Sequence, residues 1–344
     1  VNKASAPARS TAVSTANDNR LSKVWSDASG STTTYYTYDE ADQIASVTED
    51  GTPTYYTWDA RGRLTAKTTN GSTTYFTWTE DDLLASISKP GTTAYYHYDS
   101  QRRRIAKVVD GTPAYFVCDL DWNALAEYDG SLSLQAADVT VGVDDHVARI
   151  EDSANYFYYD DALETVAGLT NPSGDRVAYY EYDAWGNEWS WNSGSLSNPF
   201  LYTGLFYDQE SGLLYVRNRY LDTKVGRFLT RDPVRASASN RYAYVGNRPT
   251  LLLDPLGLVM VGFKGWKPGT YSSRVIEKLV RYFRSHTAQK ARAFDFESPG
   301  AARKFIRRQW RKCDKKVTVV GFSLGANAAL HLTELLAADD IPVQ

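Results

Sequence analysis

Cysteine, methionine and histidine are scarce in these 344 residues, with two, one and four of each. Cys118 and Cys313 are too isolated to build a disulfide framework or a metal cluster, so they do not fix the redox compartment. No metal and no cofactor is expected. The one methionine is not at position 1. Val1 is therefore expected to begin a piece of something longer, in which no targeting signal can be read. No apolar run approaches the roughly 20 residues that span a bilayer, which argues against membrane insertion by this chain alone. Two further gaps narrow the chemistry. No Asp or Glu lies between Asp232 and Asp254, and no histidine lies between His146 and His286.

Aromatic residues are plentiful: 25 Tyr and 9 Trp suggest strand-rich structure, because flat rings pack well on a pleated surface. Charge is unevenly divided. Up to Leu258 there are 22 Lys and Arg against 34 Asp and Glu, whereas from Val259 onward there are 16 against 7. A net charge near −12 joined to one near +9 marks two parts with separate jobs, divided at Asp254-Pro255-Leu256-Gly257-Leu258.

The acidic part repeats with a period of 20. Tyr38, Trp58, Trp78, Tyr98 and Cys118 are evenly spaced, each ending an aromatic strand pattern and each followed by Asp, except that Thr79 follows Trp78. Asp50-Gly51, Asn70-Gly71, Pro90-Gly91 and Asp110-Gly111 keep the same beat, and Asp-Gly or Asn-Gly between alternating runs is a strong hairpin signal. One hairpin cannot bury its own face, so the units are expected to join into a continuous sheet. The pattern loosens after 120 and returns at Tyr156 to Asp160 and at Tyr179 to Asp183.

These repeats resemble the tyrosine-aspartate (YD) repeats of the Rhs family, whose relatives include the C component of insecticidal Tc toxin complexes and the teneurins. Trp58-Asp59-Ala60-Arg61-Gly62-Arg63-Leu64 and Tyr182-Asp183-Ala184-Trp185-Gly186-Asn187 carry the likeness. So do Arg217-Asn218-Arg219-Tyr220, Gly226 to Pro233 and Asn240 to Pro249, which resemble the Rhs-associated core. The resemblance implies a mainly β fold, a YD-repeat hairpin spiral forming the terminal part of an Rhs β-cocoon, followed by a partial α/β segment. The expected organisation is a flexible lead-in or incomplete repeat over 1–30, a repeat shell over 31–195, an Rhs-associated core over 196–258 and a toxin segment over 259–344. A β-propeller or β-solenoid is the alternative architecture.

The resemblance also implies cleavage after the final Leu of Asp-Pro-x-Gly-Leu, here between Leu258 and Val259. Val259 offers no nucleophile for an acyl shift, and Leu258 cannot cyclise as Asn does. A carboxylate pair remains. One acid, protonated, polarises the carbonyl while the other activates water, and the nearest candidates are Asp232 and Asp254. Arg231 would hold the protonation pattern or stabilise the oxyanion. The competing reading is that both Asp-Pro pairs are turn chemistry alone. Relatives' Gly-Leu-x-Gly-Gly after the first Asp-Pro is replaced by Val234-Arg235-Ala236-Ser237-Ala238.

Beyond Val259 the pattern alternates strand and helix. Val317 to Val320 enters Gly321-Phe322-Ser323-Leu324-Gly325 before a helical run, the setting of a nucleophile elbow. This resembles an α/β-hydrolase of the lipase or esterase kind. Ser323 would be nucleophile, the Leu324 N–H one oxyanion donor, and Phe263-Lys264 the source of another. A lipid or ester substrate is implied. His331 lies along the same helix and does not complete a triad, so the cargo in this chain is expected to be inactive. The basic residues from Arg303 to Lys316 also admit a nuclease, though nucleic acid is the less favoured partner because no suitable His/Asp/Glu cluster accompanies them.

Two functions follow. By resemblance the chain is a bacterial polymorphic toxin of the type VI effector kind, secreted or injected by an apparatus, neutralised by a cognate immunity protein and completed by the remainder of its shell. The other is a non-enzymatic cell-surface repeat protein that binds carbohydrate or another cell.

Overall fold

The structure is a computed structural model that describes residues 9–14, 19–27, 30–161, 163–192, 196–232, 240–247, 249–250, 254, 259–264, 292–295, 302, 317–321, 332 and 336. It is mainly β. Two compact units form, one from residues 1–231 and 240–255, the other from 232–239 and 256–344.

In the first unit eighteen antiparallel strands run in sequence order from Arg9–Ser14 to Glu188–Asn192, each paired with the next. The 20-residue beat is a strand pair, as in Thr52–Trp58 with Leu64–Thr69 and Ser72–Trp78 with Leu84–Lys89. Two kinds of turn alternate. At Asp50-Gly51, Asn70-Gly71 and Asp110-Gly111 both residues have positive φ, the geometry that matches the strands' own twist.

The other turn explains the repeated Asp. Asp59 Oδ1 accepts the N–H of Arg61 and of Arg63, both at 2.9 Å, and Asp39, Asp99, Asp119 and Asp183 do the same two and four residues on. A short acceptor thus satisfies two turn donors that have no ladder partner. Where Thr79 replaces Asp, its hydroxyl accepts from the Leu83 N–H at 3.1 Å. The residue before the Asp has its own task. Trp58 Nε1 donates to the Ile44 carbonyl, Trp78 Nε1 to Leu64 and the Tyr98 hydroxyl to Leu84, at 2.7 to 2.9 Å. Each bond reaches one repeat back and stitches neighbouring hairpins. Phe could supply the ring but not the donor.

Alternation sorts the strand side chains. Tyr36, Phe76, Tyr96 and Phe116 are buried, whereas Tyr35, Tyr55, Tyr75 and Tyr95 face outward with half or more of their surface exposed. The buried face packs on a four-stranded antiparallel sheet made by Phe206–Asp208, Leu213–Val216, Arg219–Asp222 and Arg227–Phe228. Leu64, Leu84, Ile87, Phe206, Leu213 and Tyr220 belong to the shared apolar core.

In the second unit Val259–Lys264 lies between Arg292–Asp295 and Val317–Gly321, all three parallel. Positions 302, 332 and 336 are helical and buried. Among the described residues no helix is long and apolar enough to cross a membrane.

Candidate functional site

The residues around the two Asp-Pro motifs are held by the small sheet and by the first repeats. Asp254 Oδ2 accepts from Arg219 Nη2 at 2.6 Å, with the two side chains 17 % and 6 % exposed. Arg219 belongs to the strand Arg219–Asp222, whose four residues are all buried, and its guanidinium carbon sits 3.5 Å from the Phe228 ring centroid. An arginine sandwiched in this way presents its fork in a fixed direction. Nearby, burial pushes the Tyr244 hydroxyl well above its ordinary pKa, while hydrogen bonds from the Thr203 side chain and the Asp254 backbone pull the other way.

Arg231 meets a tyrosine. Its Nε donates to the Tyr242 hydroxyl at 3.0 Å. That hydroxyl also accepts from Gln43 Nε2 at 2.8 Å and donates to the Gly62 carbonyl at 3.0 Å. One oxygen therefore joins Arg231 to two turns of the repeat sheet. Burial raises the Tyr242 pKa, against the lowering effect of the Gln43 and Arg231 hydrogen bonds. The ring lies edge-on to Trp58, centroids 5.1 Å apart. Gly62, at φ +79°, has no room for more: a Cβ there would stand 2.2 Å from Arg231 Nε and 2.5 Å from the Tyr242 hydroxyl.

The neighbouring backbone is tied in the same direction. Leu64 N–H donates to the Leu229 carbonyl at 2.9 Å, and Phe228 N–H donates to the Tyr242 carbonyl at 2.9 Å. Asn240 Nδ2 donates to Asn19 Oδ1, and Asn19 Nδ2 donates to Asp42 Oδ1 at 2.6 Å.

Of the residues singled out in the sequence, Asp254 and Arg231 have these partners, and Asp232 is half-buried at the start of the second unit. Leu258, Ser323 and Leu324 lie outside the described residues. Val259, Phe263 and Lys264 are described as strand backbone: Val259 opens the central strand opposite Val317, and Phe263 stands opposite Gly321. The carboxyl end of the central strand thus adjoins the strand that leads into Gly321-Phe322-Ser323-Leu324-Gly325. Among the described residues no cluster of His, Cys, Asp and Glu could hold a metal. Sequence reading overlooked Arg219, Tyr242 and Gly62 as parts of this region. Each was visible inside a recognised motif, but nothing local distinguished it from its neighbours.

Residues 38–75 match the RHS Repeat family. The chain is 37 % identical over 114 residues to the tRNA3(Ser)-specific nuclease WapA of Bacillus spizizenii, covering 31 % of this chain and 5 % of that protein. It is 42 % identical over 65 residues to the toxin protein Tse5 of Pseudomonas aeruginosa, covering 19 % and 5 %. It is 27 % identical over 145 residues to the double-stranded DNA deaminase toxin A of Burkholderia cenocepacia, covering 41 % and 10 %. The chain spans about a tenth or less of the length of each of these relatives.

Proposed function

We propose that this chain is part of an Rhs-type toxin whose repeat shell cleaves itself after Leu258 and releases the segment beginning at Val259 as cargo. The observation that carries the reading is the ion pair of Asp254 with buried Arg219, four residues before the proposed bond; the Arg231–Tyr242 bond, next to Asp232, adds support. The likeness to proteins named as toxins supports it. In the reaction Asp232, protonated, donates to the Leu258 carbonyl oxygen, while Asp254 takes a proton from water as the water oxygen adds to the carbonyl carbon. The C–N bond then breaks as a proton passes to nitrogen, leaving a carboxylate at Leu258 and an amine at Val259. Pairing with Arg219 suits Asp254 to the anionic role, because a charge-assisted bond is strongest to the ionised acid.

Mass spectrometry of the folded, then denatured, chain tests this. A fragment beginning at Val259, absent in Asp232→Asn and Asp254→Asn, is the expected result. An intact wild-type chain would instead favour the non-enzymatic, carbohydrate- or cell-binding repeat protein.

For the cargo we infer a serine hydrolase of the lipase or esterase kind, with Ser323 as nucleophile, the Leu324 N–H and the Phe263-Lys264 loop as oxyanion donors, and a lipid or ester as substrate. Its support is the strand order, which reverses direction about Val259–Lys264; ligands of open α/β sheets sit at the carboxyl ends of strands at such a point. The second reading is a cargo acting on nucleic acid, favoured by relatives named as a tRNA nuclease and a DNA deaminase. A longer chain continuing past Gln344, assayed on phospholipid vesicles and on RNA and DNA, separates them. Lipid hydrolysis lost in Ser323→Ala supports the hydrolase; nucleic-acid turnover without it overturns that choice. A cognate immunity protein, a delivery apparatus that secretes or injects the toxin, and the rest of the shell complete the proposal.

A further inference from the structure

Arg231 precedes Asp232, and Asn240 to Tyr242 lie a few residues further on; the first repeats bond both sets of residues. On one side Arg231 reaches the Tyr242 hydroxyl, which the Gly62 carbonyl and Gln43 hold in turn. On the other, Asn240 bonds Asn19, itself bonded to Asp42. The partners lie 180 and 221 residues apart in the chain. The positions of Arg231, Asn240 and Tyr242 therefore depend on strands made long before them, and only a sheet whose early turns have docked on these residues supplies the partners.

Resting on the autocleavage reading above, we propose that Tyr242 is a positioning residue that couples cleavage to completion of the repeat sheet. The turn Asp59–Arg63 reads the register of the sheet, the Tyr242 hydroxyl transmits it to Arg231, and Asp232 follows by covalent connection. A chain whose first repeats have not docked leaves Arg231 unheld and stays uncut, so the cargo is released only from a finished shell.

The two kinds of turn provide an internal control. Gly71 and Gly62 share nearly the same strained φ, +76° and +79°, yet a Cβ on Gly71 meets nothing within 4 Å. Gly71→Ala carries the backbone penalty alone, whereas Gly62→Ala carries it together with the collision against Arg231 and Tyr242. The test measures the first-order rate of appearance of the Val259 fragment in the full 344-residue chain, at a temperature where circular dichroism shows each variant folded. Tyr242→Phe, which keeps the ring against Trp58, is expected to slow cleavage at least about tenfold, the loss of roughly 1.4 kcal/mol of positioning. Gly62→Ala slows it as much or more, and Gly71→Ala stays within about twofold of wild type. Because Gln43 acts through the same oxygen, adding Gln43→Ala to Tyr242→Phe leaves the rate unchanged, a non-additivity that a general loss of stability would not produce.

Wild-type rates in Tyr242→Phe, equal slowing by Gly71→Ala and Gly62→Ala, or additive effects of Gln43→Ala and Tyr242→Phe would overturn the proposal. The two readings fail separately. If Asp232→Asn abolishes cutting while Tyr242→Phe does not alter it, autocleavage stands and the coupling falls; if the wild-type chain is never cut, the autocleavage reading itself has fallen.

Discussion

The repeat sheet and the small sheet packed on it face opposite burial problems. Strands of the repeat sheet bury one face, so polar and aromatic side chains such as Thr57 and Tyr55 point outward at no cost. In the small sheet, Leu213–Val216 and Arg219–Asp222 are buried at every position. Charged groups there need built partners. Asp208 is bound by Arg104 at 2.5 Å and Lys107 at 3.3 Å, Asp222 by Lys67 at 3.0 Å, and Arg217 by Asp144 at 2.6 Å. Every one of these partners belongs to the repeat half of the unit. The lesson is that these buried ion pairs fix where the small sheet sits on the repeats, while both sheets supply the apolar bulk.

The strongest test of that contrast is Arg104→Met, which strands Asp208 in a site where Arg104 lies against the Phe206 and Tyr215 rings at 4.4 and 4.5 Å. Loss of about 3–5 kcal/mol in urea unfolding is expected, as for removing one partner of a buried pair. Arg63→Met, at a half-buried turn pair with Asp59, should lose about 1 kcal/mol or less. Equal losses would erase the distinction. Gly186→Ala comes next: its Cβ would stand 2.4 Å from the Tyr202 ring, against open space at Gly111. About 1–3 kcal/mol beyond the Gly111→Ala effect is expected from overpacking. Trp58→Phe removes the bond to the Ile44 carbonyl and part of the ring packed near Tyr242, and should cost about 1–2 kcal/mol.

The smallest effect depends on pH. Burial, then Asp145, Asp144 and Asp160, push the Glu164 carboxyl up to about 7. The folded chain therefore holds this proton more tightly than the unfolded chain. Stability from Glu164 is present below its ordinary carboxyl range and lost as pH rises through about 7. Glu164→Gln should accordingly raise the melting temperature relative to wild type at pH 8 and leave it unchanged at pH 4. A gain that is the same at both values would show that charge is not the cause.

Much of the repeat sheet was legible beforehand. The 20-residue beat of aromatic, Asp and Asx-Gly specifies turns and face alternation through interactions no more than a few residues long. Trp58, Tyr98 and Asp59 therefore announce themselves. The replacement at Thr79 looked like a lapse and is not one, because a hydroxyl serves one of the same donors. The candidate site was legible only in part. Asp254 and Arg231 stood out by motif and by the empty interval between the acids, yet Arg219 and Tyr242 could not be chosen from among adjacent Arg and Tyr residues. Their roles come from partners at 219 to 254 and 43 to 242, separations over which local patterning carries no information.

Sequence alone determined the strand pair, its turn chemistry and the charge boundary near Leu258, because hairpin geometry and Asx-turns are satisfied within a few residues. Only the tertiary structure decided which turn glycines are indispensable. Gly62 and Gly71 share nearly the same positive φ in two kinds of turn, and they differ in demand because one lies beneath Arg231 and Tyr242 while the other faces open space. Steric demand of that kind is a property of whatever packs against a residue, and what packs against Gly62 is encoded some 170 to 180 positions away.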